Sequence, residues 1–355
     1  MRFAFTDDQI AFRDATRDLL GKECPPEVVR AAWPDGTDAH GARKGEGARA
    51  EADRSWSTLA EMGVLGVAVP EADGGLGLGP LDWVLLAEET GYVALPHPFV
   101  ETVAVVAPLL AAAGDPHGVL GALVDGSRPA GAVPLLTTLV PWGDRTGYLV
   151  SLDQRPGTSE WVARRVEAGL AMGDEDGPER TLADAVDAGR RLVQLGVWKA
   201  GAELGDAADA AAAFDRGALA TAAQLVGLGR RMVDLTVGYV TERKQFGVPI
   251  GSFQAVKHHL ADAAKDLRFA APAVYGAAWA MATGQPTATR DVSMAKALAS
   301  DAARRAGRAA LQCHGAIGYT VEHDLHLYQK RAEALARAWG DAAWHRRRVA
   351  EALGL

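Results

Sequence analysis

The sequence predicts a mainly α-helical protein with a small β region in the middle of the chain and a helical bundle at its end. Three observations predict it. The first third carries apolar residues at helical spacing, whereas about Gly131 to Lys199 turns to short apolar or alternating runs broken by Gly, Pro and acidic clusters. From Asp206 to Leu353 the chain is alanine-rich with a period of about 3.6 residues, the pattern of long packed helices. The three textures divide the chain at 1–118, 119–203 and 204–355.

The first helix opens at Thr6 as N-cap, with Gln9 placed to close a capping box and Phe5 placed to staple onto Ile10. Phe12, Leu19 and Leu20 continue its apolar face. From Trp33 to Gly47 the composition is Pro, Gly, Asp, Arg and Lys, which predicts a mobile surface loop before order resumes near Ala50. A second helix ends near Met62 and another covers Leu81–Tyr92. Between them lies the glycine-rich run Gly74–Pro80. A dinucleotide fingerprint needs its glycines between a strand and a helix, with an acid about 20 residues on. The spacing here does not match and no such unit follows, so the run reads as a structural turn. Val103–Ala113 is the longest apolar stretch; it contains Pro108 and falls short of the ~20 residues of a bilayer span, so it predicts a buried helix and no membrane span.

Strand-like runs follow at Gly147–Leu152, Trp161–Val166 and Arg191–Trp198. In the bundle, turns are expected at Phe246–Gly251, Gly284–Pro286 and His314–Tyr319. Pro272 should kink or split the helix spanning Phe253–Thr283, because it lacks an N–H and its ring crowds the preceding turn. No internal repeat is evident.

Lys and Arg number 37 against 45 Asp and Glu in 355 residues, a formal charge of −8, which argues against nucleic acid as a partner. The two cysteines, Cys24 and Cys313, stand far apart in no metal-like spacing; they suit a reducing cytoplasm, and no metal site is expected. Met1–Asp8 shows no apolar core of signal-peptide length, so no export is expected. His323 and His326, beside Glu322 and Asp324, could offer two ligands on a helix, but no third is signalled. They read as a solvated connection before the last helices. His258 and His259 are explained by packing or capping, and Arg346–Arg348 by a charge cluster on the last helix.

Two segments go beyond composition: YVTERKQFGVPIGSFQAVKHHLADAA at Tyr239–Ala264 and LQCHGAIGYTVE at Leu311–Glu322. Together they resemble the C-terminal signatures of the acyl-CoA dehydrogenases, flavoproteins that introduce an α,β-double bond into a CoA thioester. MGVLGVAVPEADGGLGLG and LAEETGYVALPHPFVET are similar to that family's N-terminal domain. The resemblance implies an N-terminal helical domain, a middle β domain and a C-terminal four-helix bundle, with FAD lying across a subunit interface.

On the family pattern, one chain reaches its neighbour's flavin with an R-x-x-F-G turn and a Q-x-x-G-G loop. The matching residues are Arg243 and Phe246, with Gln245, Phe253 and Gln254 nearby, and Gln312, Gly315 and Ala316. A guanidinium suits pyrophosphate, and backbone amides at a tight glycine turn can approach phosphate oxygens. Ala316 replaces a second glycine, which should narrow the backbone conformations open there.

The elements serving a chain's own flavin depart from the pattern. The E-G-T triplet that carries the usual catalytic base reads Trp339-Gly340-Asp341, and tryptophan cannot accept a proton, so no catalytic residue is assigned. A minority of the family carries its base on an earlier helix, where Ala218–Thr221 offers no acid and Asp215 lies one turn upstream. The T-E-P and G-S-D flavin motifs of the middle domain have no counterpart between Val133 and Leu152, so that domain looks shortened. Asp341 and Ala343 stand where a threonine and a glutamine would touch the chain's own FAD.

The resemblance therefore implies the degenerate subunit of a heteromeric α2β2 acyl-CoA dehydrogenase. Such a chain shares FAD with a homologous full-length subunit that binds most of the acyl-CoA, and an electron-transfer flavoprotein or similar acceptor takes the electrons. A stand-alone homo-oligomer of this fold with a non-oxidative or binding role is the alternative, and a conventional dehydrogenase using Asp215 or another acid is a third.

Overall fold

The computed structural model describes residues 4–33, 46–135, 137–168 and 180–355. Helix α1 (Asp7–Glu23) begins on a complete capping box, with Gln9 N–H donating to Thr6 Oγ1 at 3.2 Å and Thr6 N–H to Gln9 Oε1 at 3.0 Å. Phe5 packs edge-on against Tyr275, with centroids 5.0 Å apart. Helices α2 (Pro26–Ala31), α3 (Glu46–Glu61) and α4 (Pro80–Tyr92) follow. The expected loop at Trp33–Gly47 falls largely outside the described residues. The glycine run is a turn, as read: the N–H groups of Gly75, Leu76, Gly77 and Leu78 are spent on the carbonyls of Pro70, Gly66, Val69 and Val67. No amide in that set is left to face a phosphate.

The apolar stretch is buried, but not as one regular helix. Val100–Val106 is π-helical, with the N–H of Ala107 reaching Thr102 O, and it continues into α5 (Ala107–Ala112), which carries Pro108 just beyond the junction. After α6 (Leu120–Val124) the chain enters the β region. Strands β1 (Ala130–Pro134), β3 (Tyr148–Gln154), β4 (Trp161–Ala168) and β7 (Trp198–Glu203) form one sheet in the order β1-β3-β4-β7, parallel only between β1 and β3. Strands β2 (Leu139–Val140), β6 (Val193–Leu195) and β5 (Arg180–Leu182) form a second, antiparallel sheet. The run Arg191–Trp198 thus divides between the two sheets. Val133, Leu149 and Val166 of the first meet Val140, Val193 and Leu195 of the second in a small core of their own.

The bundle consists of α7 (Ala207–Glu242), α8 (Gln254–Ala282), α9 (Ala288–His314), α10 (Leu325–Arg337) and α11 (Ala342–Ala352), with α9 packed against the other four. A short hairpin, β8 (Lys244–Gln245) and β9 (Val248–Pro249), joins α7 to α8. Pro272 does not split α8: the helix runs through it, with the proline exposed. The N-terminal helices join the bundle through a close crossing of α4 on α7. A Cβ on Gly91 would lie 2.2 Å from Gln224 O, and one on Gly227 would lie 2.0 Å from Glu88 O, so only glycine permits this approach. Among the described residues no helix is long and apolar enough to cross a membrane, and no cluster of three or more His, Cys, Asp or Glu could hold a metal.

Candidate functional site

Helix α7 ends at Arg243, whose extended backbone (φ −67°, ψ 122°) turns the chain into the β8–β9 hairpin. Phe246 sits at the tip with φ +52°, a left-handed conformation unusual for a bulky residue, and its side chain is 92% exposed. Phe253, the N-cap of α8, meets it edge-on at 6.2 Å. Arg243, Gln245 and Gln254 are exposed, and the Arg243 guanidinium has no ion-pair or hydrogen-bond partner among the described residues. Backbone strain and exposed aromatic surface thus coincide at one tip.

The second predicted loop lies at the same end of the bundle. Tyr239, in the last turn of α7, stacks on His314 with centroids 4.5 Å apart, and so fixes the end of α9 beside the start of the hairpin. Gln312, Gly315 and Ala316 are exposed. Gly315 has φ +62° and ψ −138°, a conformation that favours glycine, and the space where its Cβ would project is open. Ala316 does not share that positive φ and sits in a short 3-10 turn, so the alanine is carried without strain. The expected narrowing removes nothing the backbone uses. Burial lowers the pKa of His314, which donates from Nδ1 to Ala310 O at 2.8 Å.

His323 and His326 are not a solvated connection. Burial lowers both pKa values, that of His326 to about 4; His323 packs on His314 at 4.4 Å and His326 against Trp33 at 5.3 Å. Lone histidines between helices read as polar in sequence, but their ring faces are used here as packing surface.

The opposite side of the site is filled. Trp339 is 3% exposed and has φ +57°; it packs against Phe214, which stacks on Trp161 at 4.3 Å. Gly217 gives it room, since a Cβ there would lie 2.6 Å from the indole. Asp341 accepts a hydrogen bond from Trp344 N at 2.7 Å as the N-cap of α11, and Ala343 is an exposed first-turn residue. Asp215 is committed elsewhere. One oxygen pairs with Arg348 at 2.6 Å and the other accepts from Thr289 Oγ1 at 2.6 Å, and Asp215 does not line the cavity beside Trp339.

That cavity, about 900 Å³, lies between the second sheet and the α10–α11 turn. Its inner end holds residues to which sequence reasoning gave no role. Glu101 and Arg190 are nearly buried and stand 3.9 Å apart; burial raises the Glu101 pKa, and Arg190 opposes the shift. Asp187 pairs with Arg331, which also donates to the carbonyls of Ala94 and Leu95 and lies over the Trp142 ring at 5.1 Å. Lys296 is fully buried on α9 and donates to Ala336 O, Gly340 O and Ser300 Oγ at 3.1–3.2 Å, holding the turn that carries Trp339. Burial lowers its pKa to about 7.

Comparison with known proteins decides what this architecture is. The acyl-CoA dehydrogenase C-terminal domain model matches residues 207–354 and the N-terminal domain model residues 6–117. The chain is also 31% identical over 332 residues to the acyl-CoA dehydrogenase IpdE2 of Mycobacterium tuberculosis, covering 93% of this chain and 92% of the relative. It belongs to the acyl-CoA dehydrogenase family. FadE34 of the same organism is 31% identical over 364 residues, which is 97% of this chain but only 48% of that protein. Among solved structures, the ChsE4–ChsE5 complex of M. tuberculosis superposes with a TM-score of 0.81 at 23% identity, over 100% of this chain and 99% of the other.

The family consists of FAD flavoproteins acting on CH–CH donors, so the acyl-CoA dehydrogenase fold of this chain can be tested against that cofactor. Arg243 without a partner, the exposed Phe246–Phe253 pair and the open Gly315 turn fit one end of it. The cavity beside Trp339 holds at its inner end the Glu101–Arg190 pair, 3.9 Å apart, and Asp187, paired with Arg331.

Proposed function

We propose that this acyl-CoA dehydrogenase-family chain is an FAD-sharing subunit that supplies the adenosine and pyrophosphate wall of a flavin site whose base lies on a partner chain. Arg243 would neutralise pyrophosphate charge, Phe246 and Phe253 would cover the adenine end, and Gln245, Gln254, Gln312 and the backbone at Gly315–Ala316 would supply hydrogen bonds. FAD, when bound, supplies the hydride acceptor of α,β-dehydrogenation. The proton abstraction needs a carboxylate within reach of the α-carbon. Trp339 offers none, and Asp215 is held by Arg348 and Thr289.

A single observation carries the reading: the residues that reach outward are exposed and unpaired, while the position of the usual base is packed shut by an indole. The proposed partner is a homologous full-length subunit in an α2β2 assembly, which would bind most of the acyl-CoA and pass electrons to an electron-transfer flavoprotein or a similar acceptor in the cytoplasm. Two comparisons support a pair. One relative is about twice as long as the stretch this chain matches, and one structural neighbour is a complex of two differently named chains.

Co-expression with a full-length homologous subunit tests it. The solitary chain is expected to purify with little flavin and no turnover of an acyl-CoA, and the complex with both. Arg243→Ala in the complex should lower the flavin-to-protein ratio. Stoichiometric FAD and turnover on the solitary chain would refute the reading.

A further inference from the structure

The cavity beside Trp339 is not used by the proposed flavin wall, and its chemistry is arranged in one direction. Its flanks are apolar: Leu135, Leu139 and Val186 from the β region, and the Trp339 and Trp344 rings against the bundle. Its inner end is closed by the Glu101–Arg190 and Asp187–Arg331 pairs, whose charges compensate each other. Arg337, in the last turn of α10, and Arg347, on the Trp344 face of α11, also line it. Both are exposed, and neither has an ion-pair or hydrogen-bond partner among the described residues. The other basic residue in the lining, Arg190, is paired, and of the acids there Glu333 pairs with Arg304 while Asp341 caps α11.

We infer that this cavity binds an apolar carboxylate, its hydrocarbon body against Trp339 and Trp344 and its anionic head between Arg337 and Arg347. A volume of about 900 Å³ lies in the range of small-molecule sites, which are mostly apolar with a few converging polar groups. Two unpaired guanidiniums at the exposed end offer the forked donors that carboxylates accept from. Between the paired charges of the inner end and the unpaired guanidiniums of the mouth lie the apolar flanks, which suit the body of a single-headed amphiphile. The site is separate from the Arg243 hairpin, so it stands whether or not the flavin wall is assigned correctly.

Isothermal titration calorimetry of the full chain with sodium dodecanoate, kept below its micellar concentration, tests the inference. Saturable binding near one equivalent is expected, and dodecan-1-ol, which has the same chain without the charge, should bind about tenfold more weakly. The Arg337→Gln/Arg347→Gln double variant should lose a comparable factor for dodecanoate while its dodecanol binding stays unchanged. Arg243→Gln should leave dodecanoate binding intact, which separates this site from the exposed aromatic tip. Equal affinity for acid and alcohol, or a double variant that binds dodecanoate as well as the parent, would overturn it. So would competition by FAD that depends on Arg337 and Arg347, which would make the cavity a flavin site.

Discussion

Lys296 gives the sharpest physical test of how the turn at Trp339 is held. It is fully buried on α9 and satisfies its ammonium with two carbonyls and a serine hydroxyl, with no carboxylate in contact. Desolvation lowers its pKa from 10.5 to about 7, partly opposed by Asp341. The sign follows from proton counting. Between pH 7 and 10.5 the unfolded chain binds a proton that the native chain does not, so stability rises with pH across that window and is flat below it. Each unit of pH is worth about 1.4 kcal/mol, so the gain from pH 7 to 9 is about 2–3 kcal/mol. Above pH 9 the buried Cys24 thiol and Tyr148 phenol, both pushed up to about 12, act in the opposite sense, so the lower window is the informative one. Urea unfolding at pH 7, 8 and 9 should therefore show a rising midpoint in the parent protein. In Lys296→Met the rise should vanish, because the only group removed is the one that titrates there. Near pH 7 the variant should be within about 2 kcal/mol of the parent, since losing the buried ammonium offsets three lost hydrogen bonds. A variant that keeps the parent's pH slope would refute the reasoning.

Three further outcomes follow from the same packing. Trp339→Glu restores the family's usual acid in sequence but not in place. It removes an indole seated against Phe214 and Gly217, so it should cost about 3–5 kcal/mol by chemical unfolding and give the solitary chain no acyl-CoA turnover. Asp187→Asn leaves Arg331 buried without its counter-charge and should cost about 3–5 kcal/mol, much of it regained in Asp187→Leu/Arg331→Met; equal losses in the two variants would show that the pair is not what matters. Gly91→Ala forces α4 off α7, because the new methyl would sit 2.2 Å from a backbone oxygen, and should lower stability by about 1–3 kcal/mol.

What could be read from the sequence and what could not divides along sequence separation. The Thr6–Gln9 box, the glycine turn and the R-x-x-F-G hairpin are each written within a few residues, and each is found where local chemistry places it. The pairs that close the inner end of the cavity are not local: Asp187 and Arg331 stand 144 positions apart, and nothing near either names the other. Some signal was present. Glu101 is the lone acid in the apolar run Phe99–Val106, and Lys296 occupies a buried face of α9 with Val292, Ala299 and Ala303, where the 3.6-residue period calls for an apolar side chain. A charge standing where the period demands a hydrocarbon must find compensation inside the fold. The structure shows what the compensation does in this chain. Lys296 ties Gly340 O to the end of α10, and His345 Nε2 donates to Trp339 O at 2.8 Å, so the carbonyls of Trp339 and Gly340 are both claimed by side chains behind the turn. The turn that carries Trp339 is thus held from behind by two side chains. A glutamate at position 339 would meet packing built around the indole, on a turn whose left-handed backbone and claimed carbonyls keep it in place.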